Sequence, residues 1–162
     1  MSTRSQIGIY KVKPSTPSVL KEFKALLYRH SDGYPSGVLP DIIPFLRWFK
    51  SARGIGDTEY VAARLLQWLC NQYDGVTAEI SKETKGVLVN LRDNVTAGYT
   101  GTLGHGICKY FHGDIEYYYA VYPNGVDIYD CLYDSKPDKW RLLAEINLDD
   151  EVNVETIIKA IG

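Results

Sequence analysis

The sequence is poor in cysteine and histidine and has no long hydrophobic run. Its 162 residues include 3 Cys and 3 His. The cysteines, at positions 70, 108 and 131, are odd in number and do not follow the spacing of a disulfide framework, so we expect reduced thiols. No apolar run approaches the roughly 18 residues that cross a bilayer, and residues 1–6 lack the apolar segment of a signal peptide. We therefore expect a cytoplasmic protein with no membrane contact.

Signature motifs of common active sites are also absent from the sequence. It has no Walker loop that ends in Lys-Ser or Lys-Thr, no Cys-x-x-Cys, no His-Glu-x-x-His, and no serine-nucleophile or paired-carboxylate signature. These absences lean against an enzyme without deciding the matter. The sequence indicates no catalytic residue, no cofactor and no metal.

The charges are distributed unevenly along the chain. Residues 1–70 carry ten Lys and Arg against five Asp and Glu, whereas residues 71–162 carry eight against fifteen. Such halves can attract each other within one fold or across copies of the chain, and we expect a homo-oligomer. The basic excess is sufficient for a small anion but too weak for duplex nucleic acid, which requires many neutralised phosphates.

Hydrophobic periodicity predicts a hairpin and then a helix at the start of the chain. Residues 6–13 alternate between apolar and polar positions, and residues 22–29 are predicted to pair with them. Apolar residues at three- and four-residue steps predict a helix over 38–51. Pro40 suits its first turn, and Pro44 is expected to kink the helix or reset its start.

The remainder of the pattern completes an α+β domain. A second helix over 58–73 is predicted with Asp57 as its N-cap. The later predicted elements are strands at 76–80, 86–91, 115–122, 126–133 and 140–146, a glycine-rich loop at 93–106, and a closing amphipathic helix at 151–161. We therefore predict a single domain over residues 1–162, with a mostly antiparallel sheet packed against two central helices and a C-terminal helix.

The stretch richest in chemical groups is residues 28–37, Tyr-Arg-His-Ser-Asp-Gly-Tyr-Pro-Ser-Gly. It places a cation, an imidazole, a carboxylate and two phenols at a turn between a strand and a helix. His30 or Asp32 could act as a general base there, and the planar fork of Arg29 could hold a phosphate or carboxylate. The structural alternative is that Arg29 and Asp32 pair with each other or cap the helix.

A second candidate is the glycine-rich stretch at 98–106. Its polar candidates are Thr100, Thr102 and His105. Backbone N–H groups and threonine hydroxyls could converge on an anion, and the glycines could act as the hinges of a lid. The alternative is a plain mobile loop.

Four potential metal ligands also lie close together in the sequence. They are His105, Cys108, His112 and Asp114. Their spacing matches no zinc module, and on a strand only Cys108 and His112 would share a face. Metal binding is therefore the weaker interpretation.

Tyrosines cluster in the two strands predicted for 115–133. Alternate members would form one aromatic face of a sheet, which is usually core or subunit interface. A minority of such faces stack nucleobases. Nothing here resembles the glycine-aromatic motifs of an RNA-recognition sheet.

Thr-Arg-Ser at 3–5 and the run at 27–37 resemble a family of small proteins found in phages, prophages and bacteria. In that family an opening Thr-Arg-Ser strand is followed by a Tyr-Arg-His-x-Asp-Gly-Tyr-Pro-x-Gly turn, a helix, and a later strand of the Glu-Tyr-x-Tyr type, here at 116–119. The chain departs from the Gly-x-x-Cys-Leu-Ala-Ala-Gln pattern of the second helix, where residues 57–64 read Asp-Thr-Glu-Tyr-Val-Ala-Ala-Arg. The family has no settled activity, so the resemblance implies a mobile-element setting rather than a mechanism.

Together these features favour a non-enzymatic protein that binds a small anionic, nucleotide-like ligand. In a phage setting that ligand could be a host immune signal such as a cyclic nucleotide. The predicted contacts are a wall of Arg29, His30, Asp32 and Tyr34, support from Arg4 and Tyr28, and a lid that contains Thr100, Thr102 and His105. Cationic forks suit phosphates and aromatic rings suit bases.

Two alternatives stay open. One is a phosphodiester hydrolase that uses His30 or His105 as acid or base, and it predicts turnover. The other is an inhibitor that binds a host or defence protein through its Tyr-rich sheet, and it predicts that changing Tyr118 or Tyr129 abolishes activity.

Overall fold

The computed structural model describes residues 3–74, 77–80, 87–90, 96–99, 104–150 and 153–161. The described strands are β1 (Ser5–Ile9), β2 (Ala25–Arg29), β3 (Thr77–Ile80), β4 (Val87–Asn90), β5 (Thr96–Tyr99), β6 (His105–Ile107), β7 (Tyr117–Tyr122), β8 (Gly125–Asp130) and β9 (Arg141–Asn147). The described helices are α1 (Pro35–Ala52), α2 (Thr58–Leu69) and α3 (Val154–Ile161). Among these helices none is long and apolar enough to cross a bilayer.

The main sheet has six strands in the order β6-β2-β1-β7-β8-β9. All neighbouring pairs are antiparallel except β1 and β7, which run parallel. Strands β3, β4 and β5 form a separate antiparallel sheet. The predicted α+β class, with a mostly antiparallel sheet, two central helices and a C-terminal helix, is confirmed.

Both faces of the main sheet are covered by hydrophobic cores. On one face Ile7, Leu27 and Tyr119 pack with the buried side of α1 and α2. On the other face Tyr118 packs with Trp140 and with other aromatic residues from irregular segments. Strand β1 is consequently buried at every position, because it lies between the two cores.

Helix α1 begins at Pro35, earlier than predicted, and continues through both internal prolines. Pro35 occupies the first helical position, where a missing N–H costs nothing. Pro40 and Pro44 are one turn apart and exposed, so water can bond the carbonyls that lose their helical donors. The alternative that Pro44 resets the helix start is wrong, since the helix is continuous there.

Helix α2 is shorter than predicted and is capped differently. It ends at Leu69 and passes into a π-helical turn over Cys70–Asp74. Asp57 holds the N-cap position, but its side chain makes no capping bond to the helix. Instead its carboxylate accepts a hydrogen bond of 3.1 Å from Arg53 Nε, so Asp57 ties α2 to the end of α1.

The stretch predicted as a glycine-rich loop, 93–106, contains strands in its described parts. Residues 96–99 form β5, and His105–Ile107 form β6 at the edge of the main sheet. The His30 N–H donates to the Gly104 carbonyl at 2.8 Å, so the backbone there is held against β2. The prediction that residues 98–106 form a lid is therefore wrong for residues 104–106. Thr100 and Thr102 lie outside the described residues.

Part of the charge asymmetry is neutralised within the chain. Lys13 Nζ lies 3.0 Å from Glu145 Oε1, and Lys50 forms an ion pair with Asp149. Each pair joins the basic first half to the acidic second half. These contacts correspond to the intramolecular alternative, and the homo-oligomer stays a prediction.

A buried carboxylate in the main sheet makes folding sensitive to pH. Asp127 is 1% exposed and accepts a 2.7 Å hydrogen bond from the Tyr122 hydroxyl. Glu145 lies opposite it on β9, and Lys13 is the nearby cation. Burial raises the pKa of Asp127, and the Tyr122 bond and Lys13 only partly oppose that rise.

Replacing Asp127 with asparagine is therefore expected to raise the free energy of unfolding more at neutral pH than in acid. Because the folded pKa is raised, the folded state binds more protons than the unfolded chain in the window above the ordinary value, and stability falls as pH rises through it. Asparagine keeps an acceptor for Tyr122 but cannot ionise. Denaturant unfolding of both proteins at about pH 4, the ordinary pKa of aspartate, and at about pH 7 tests this expectation. The same difference in free energy of unfolding between the two proteins at both pH values would contradict it.

Candidate functional site

Residues 28–37 lie at one end of the main sheet, and their strand portion presents side chains to both faces. Gln6 is paired with Tyr28, and Ser5 is paired with Arg29. Because successive strand residues point to opposite faces, Tyr28 and Arg29 cannot serve one surface. Arg29 points to the helix-covered face, while Tyr28 and His30 point to the other.

Arg29 is an internal anchor in this structure. Its side chain is 1% exposed. Its Nε donates to the Ser31 carbonyl at 3.0 Å, and Nη1 pairs with Asp41 Oδ2 at 2.7 Å. Nη2 donates to the Gly37 carbonyl at 3.3 Å. The guanidinium thus joins β2, the turn and the first turns of α1. It forms an ion pair with Asp41 on α1, a partner that the sequence analysis did not consider.

The glycines of this stretch are required by close packing. A Cβ on Gly37 would lie 2.3 Å from the Asp32 carbonyl oxygen, which belongs to the backbone and cannot rotate away. The Gly33 N–H donates to the Thr3 carbonyl at 2.9 Å, and the Gly33 carbonyl accepts from the Tyr119 hydroxyl at 2.7 Å. Asp32 has a φ of 52°, a region that aspartate tolerates better than most residues. The packing and backbone conformation of the turn therefore account for both glycines and for Asp32 without a ligand.

Asp32 and Tyr34 form a local pair in the turn. The Tyr34 hydroxyl donates to Asp32 Oδ1 at 2.9 Å, and this hydrogen bond to the carboxylate raises the pKa of the Tyr34 phenol. Tyr34 also lines a pocket of about 260 Å³ with Tyr117 and Ile158 of α3. The structure therefore directs Tyr34 towards α3.

Five side chains from three segments meet on the outward face, and we call them the histidine cluster. They are Arg4, Tyr28, His30, His112 and Asp114. The Tyr28 hydroxyl and His30 Nδ1 form a hydrogen bond of 2.8 Å. The ring of His112 lies 5.2 Å from that of Tyr28 between centroids, at an interplanar angle of 41°. Partial burial raises the pKa of Tyr28, and the Arg4 cation opposes that rise.

Gln6 positions the segment that carries His112. Its buried side chain donates from Nε2 to the Tyr110 carbonyl at 3.1 Å. Its Oε1 accepts from the backbone N–H of His112 at 3.1 Å. Since Gln6 is the neighbour of Tyr28 across β1 and β2, these two bonds place His112 beside the Tyr28 ring.

Asp114 pairs with Arg4 and lies near His112 in the histidine cluster. Its Oδ2 lies 2.5 Å from Arg4 Nη1, and its Oδ1 lies 3.9 Å from His112 Nδ1. Among the described residues Arg4 Nε has no acceptor although it is buried, so this donor is uncompensated. The cluster therefore has a fixed guanidinium, two imidazoles and one phenol at a partly exposed surface.

The predicted site residues divide into separate places. Arg4, Tyr28 and His30 come together on the outward face, apart from Arg29 of the predicted wall. His105 lies opposite Arg29 on β6, and opposite residues share a face, so it belongs to the helix side of the sheet. The sequence analysis considered His112 and Asp114 only as metal ligands. Strand alternation could have grouped Tyr28 with His30, but only tertiary contacts bring in Arg4 and His112.

The metal-ligand hypothesis finds no supporting geometry in the part of the chain that the structure describes. There, no three His, Cys, Asp or Glu side chains come together as a possible metal site. His105 and His112 lie on different faces of the sheet, and Cys108 packs at the edge of the second core.

A groove of about 830 Å³ lies elsewhere, between α1 and the segment that follows β9. It is lined by Arg47, Lys50, Ser51, Leu148, Asp149, Asp150 and Asn153. Lys50 pairs with Asp149, and Arg47 Nη2 donates to the Asp150 carbonyl at 3.3 Å. These bonds attach α1 to the segment that follows β9, so the basic groups have a structural role.

Comparison of this chain with family models, curated proteins and solved structures finds no match.

Proposed function

We propose that the protein binds a small anionic, nucleotide-like ligand at the histidine cluster. The observation that carries the proposal is the meeting of Arg4, His30 and His112 around the Tyr28 ring. The guanidinium supplies directed donors for a phosphate, and imidazoles add further hydrogen bonds. The aromatic pair of Tyr28 and His112 supplies a partly exposed edge against which a base could pack.

Asp114 affects the ligand affinity expected of this site. Its carboxylate lowers the local positive charge, but it also fixes Arg4, so that a ligand does not have to order this guanidinium. A pre-ordered site with modest net charge suits a ligand of one or two phosphates better than a polyanion. Arg29, Asp32 and Tyr34 support this site through the turn rather than as its surface, and Thr100 and Thr102 stay candidates for a lid.

The resemblance in residues 3–5 and 27–37 suggests the setting in which this ligand is met. A small phage or prophage protein that binds such a nucleotide could remove a host immune signal. Gentle purification followed by denaturation would then release the bound nucleotide.

The inhibitor hypothesis needs a different surface from the one first considered. Tyr118 and Tyr119 are fully buried, so they cannot contact a partner in the folded protein. Tyr133, which is 62% exposed, is the tyrosine of this region best placed to do so. Inhibition of a host or defence protein through this region stays a hypothesis.

Replacing Arg4 with glutamine is expected to weaken nucleotide binding by about 10-fold or more, because a hydrogen bond to a charged group is worth about 1.5–3 kcal/mol. The measurement is isothermal titration with the four ribonucleoside monophosphates and with inorganic phosphate. Arg53→Gln is the matched control, since Arg53 is also half-exposed and paired with one carboxylate, Asp57. No binding to the wild-type protein, or equal loss in both variants, would refute the proposal.

A further inference from the structure

Both imidazoles of the histidine cluster lie close to one phenol. The ring of His30 lies 6.0 Å from that of Tyr28 between centroids, and the ring of His112 lies 5.2 Å from it. His30 and His112 therefore belong to one surface although they come from segments more than eighty residues apart. Such a pair places two proton-transfer groups near a small group bound against Tyr28.

The two imidazoles are positioned by different contacts. His30 Nδ1 is hydrogen-bonded to the Tyr28 hydroxyl at 2.8 Å. The His112 backbone is held by Gln6, and His112 Nδ1 lies 3.9 Å from Asp114 Oδ1. With its Nδ1 bonded, His30 presents Nε2 to a substrate, and His112 lies beside the same phenol, as general acid–base catalysis by two groups needs.

Arg4 supplies the third requirement, which is stabilisation of negative charge. Its guanidinium is fixed by Asp114 in the same cluster. When a phosphodiester is attacked, charge accumulates on the phosphoryl oxygens, and a positioned guanidinium stabilises that charge. The cluster thus combines two candidate proton-transfer groups with one anion-stabilising group.

From this arrangement we infer that the histidine cluster cleaves ribonucleotide phosphodiesters, an inference that rests on the proposed binding of nucleotides there. One of His30 and His112 takes the proton of the substrate 2′-hydroxyl, and the 2′ oxygen forms a bond to phosphorus. The bond from phosphorus to the leaving 5′ oxygen breaks, and the other imidazole gives that oxygen a proton. The products are a 2′,3′-cyclic phosphate and a 5′-hydroxyl.

The step is balanced with the groups named. The substrate supplies the nucleophile, one imidazole accepts a proton, and the other donates one, so no external reactant is consumed. Exchange of a proton with water afterwards restores both imidazoles. A deoxyribonucleotide diester lacks the 2′-hydroxyl and is therefore bound but left intact. The histidine pair differs from the sequence hypothesis, in which His105 was the second candidate.

The test uses cytidylyl-3′,5′-adenosine and its 2′-deoxycytidine counterpart with the full chain. Liquid chromatography with mass spectrometry follows the cyclic phosphate, and calorimetry measures binding of both compounds. His30→Gln and His112→Gln are each expected to lower the cleavage rate by about 100-fold or more, and each is expected to remove one limb of the pH–rate profile. His105→Gln, on the other sheet face, is the matched control and keeps the wild-type rate.

The possible failures are distinguishable. Binding of both compounds without cleavage overturns the inference and leaves the proposed function standing. Absence of binding overturns both. Cleavage that persists in the His30→Gln, His112→Gln double variant, or that attacks the deoxy compound equally, also overturns the inference. Thermal melting of each variant confirms that it is folded before rates are compared.

Discussion

Replacing Arg29 with methionine is expected to lower the free energy of unfolding by about 3–5 kcal/mol, the range for breaking a buried ion pair from one side. The substitution leaves Asp41 without its partner and removes the donors for the carbonyls of Ser31 and Gly37. Methionine can fill part of the volume but can donate no hydrogen bond. Urea-induced unfolding followed by circular dichroism measures the loss.

Arg4→Met is the matched control for this prediction. Arg4 also pairs with an aspartate, but its side chain is 38% exposed and that of Asp114 is 54% exposed. Exposed pairs typically contribute about 0–1 kcal/mol, so this variant should unfold close to the wild type. Similar losses in free energy of unfolding in the two variants would mean that Arg29 is not an internal anchor.

Replacing Gly8 with alanine is expected to destabilise the protein by about 1–3 kcal/mol, the cost of overpacking a core. A Cβ at this position would lie 1.7 Å from the Tyr118 hydroxyl oxygen and 2.9 Å from Cε2 of Tyr10. The Tyr118 ring cannot move freely, because Phe111 and Trp140 pack against it at centroid distances of 5.3 and 4.9 Å. Displacing it would also break the hydrogen bond between the Tyr10 and Tyr118 hydroxyls, which is worth about 1 kcal/mol.

Gly106→Ala tests whether this cost comes from the contact with Tyr118. Gly106 also lies in a strand of the main sheet, but no atom of the described residues lies within 4 Å of a Cβ built there. Alanine generally stabilises an unstrained strand position by about 0.5–1 kcal/mol over glycine. Opposite signs at positions 8 and 106 are therefore expected in thermal or urea unfolding. The same sign at both would show that close packing at Gly8 is not the determining factor.

The elements that are determined locally could be predicted from the sequence. The hairpin of β7 and β8 follows from alternating apolar residues around a Pro-Asn-Gly turn, and α1 and α2 follow from their apolar spacing. The parallel pairing of β1 with β7 could not be predicted, because it joins segments more than a hundred residues apart with no local signal. The covering of the second core could not be predicted for a related reason. Strand residues such as Tyr118 form one side of this core, but irregular segments without periodicity, such as the one containing Phe111, cover it.

The orientation of Arg29 could be predicted from the alternation of side chains along the strand that contains it. Leu27 lies two residues earlier on the core face, and strand alternation places Arg29 on the same face. A charged residue at a turn is usually expected to be exposed. Here three internal acceptors offset the desolvation of the Arg29 guanidinium. Tyr28 and His30 follow the opposite phase. The contribution of His112 depends on Gln6 holding a distant segment, which no local pattern encodes.

We propose that ligands bind on the outward face of residues 28–30 and not on the face of Arg29. The chain has 3 histidines, two in the histidine cluster and one, His105, on the helix side. Imidazole ¹H–¹⁵N correlation spectra recorded during titration with the tightest-binding ribonucleoside monophosphate test this placement directly. We expect the signals of His30 and His112 to shift together while that of His105 stays in place. A shift confined to His105, or three unmoved signals at saturation, would contradict the proposed placement.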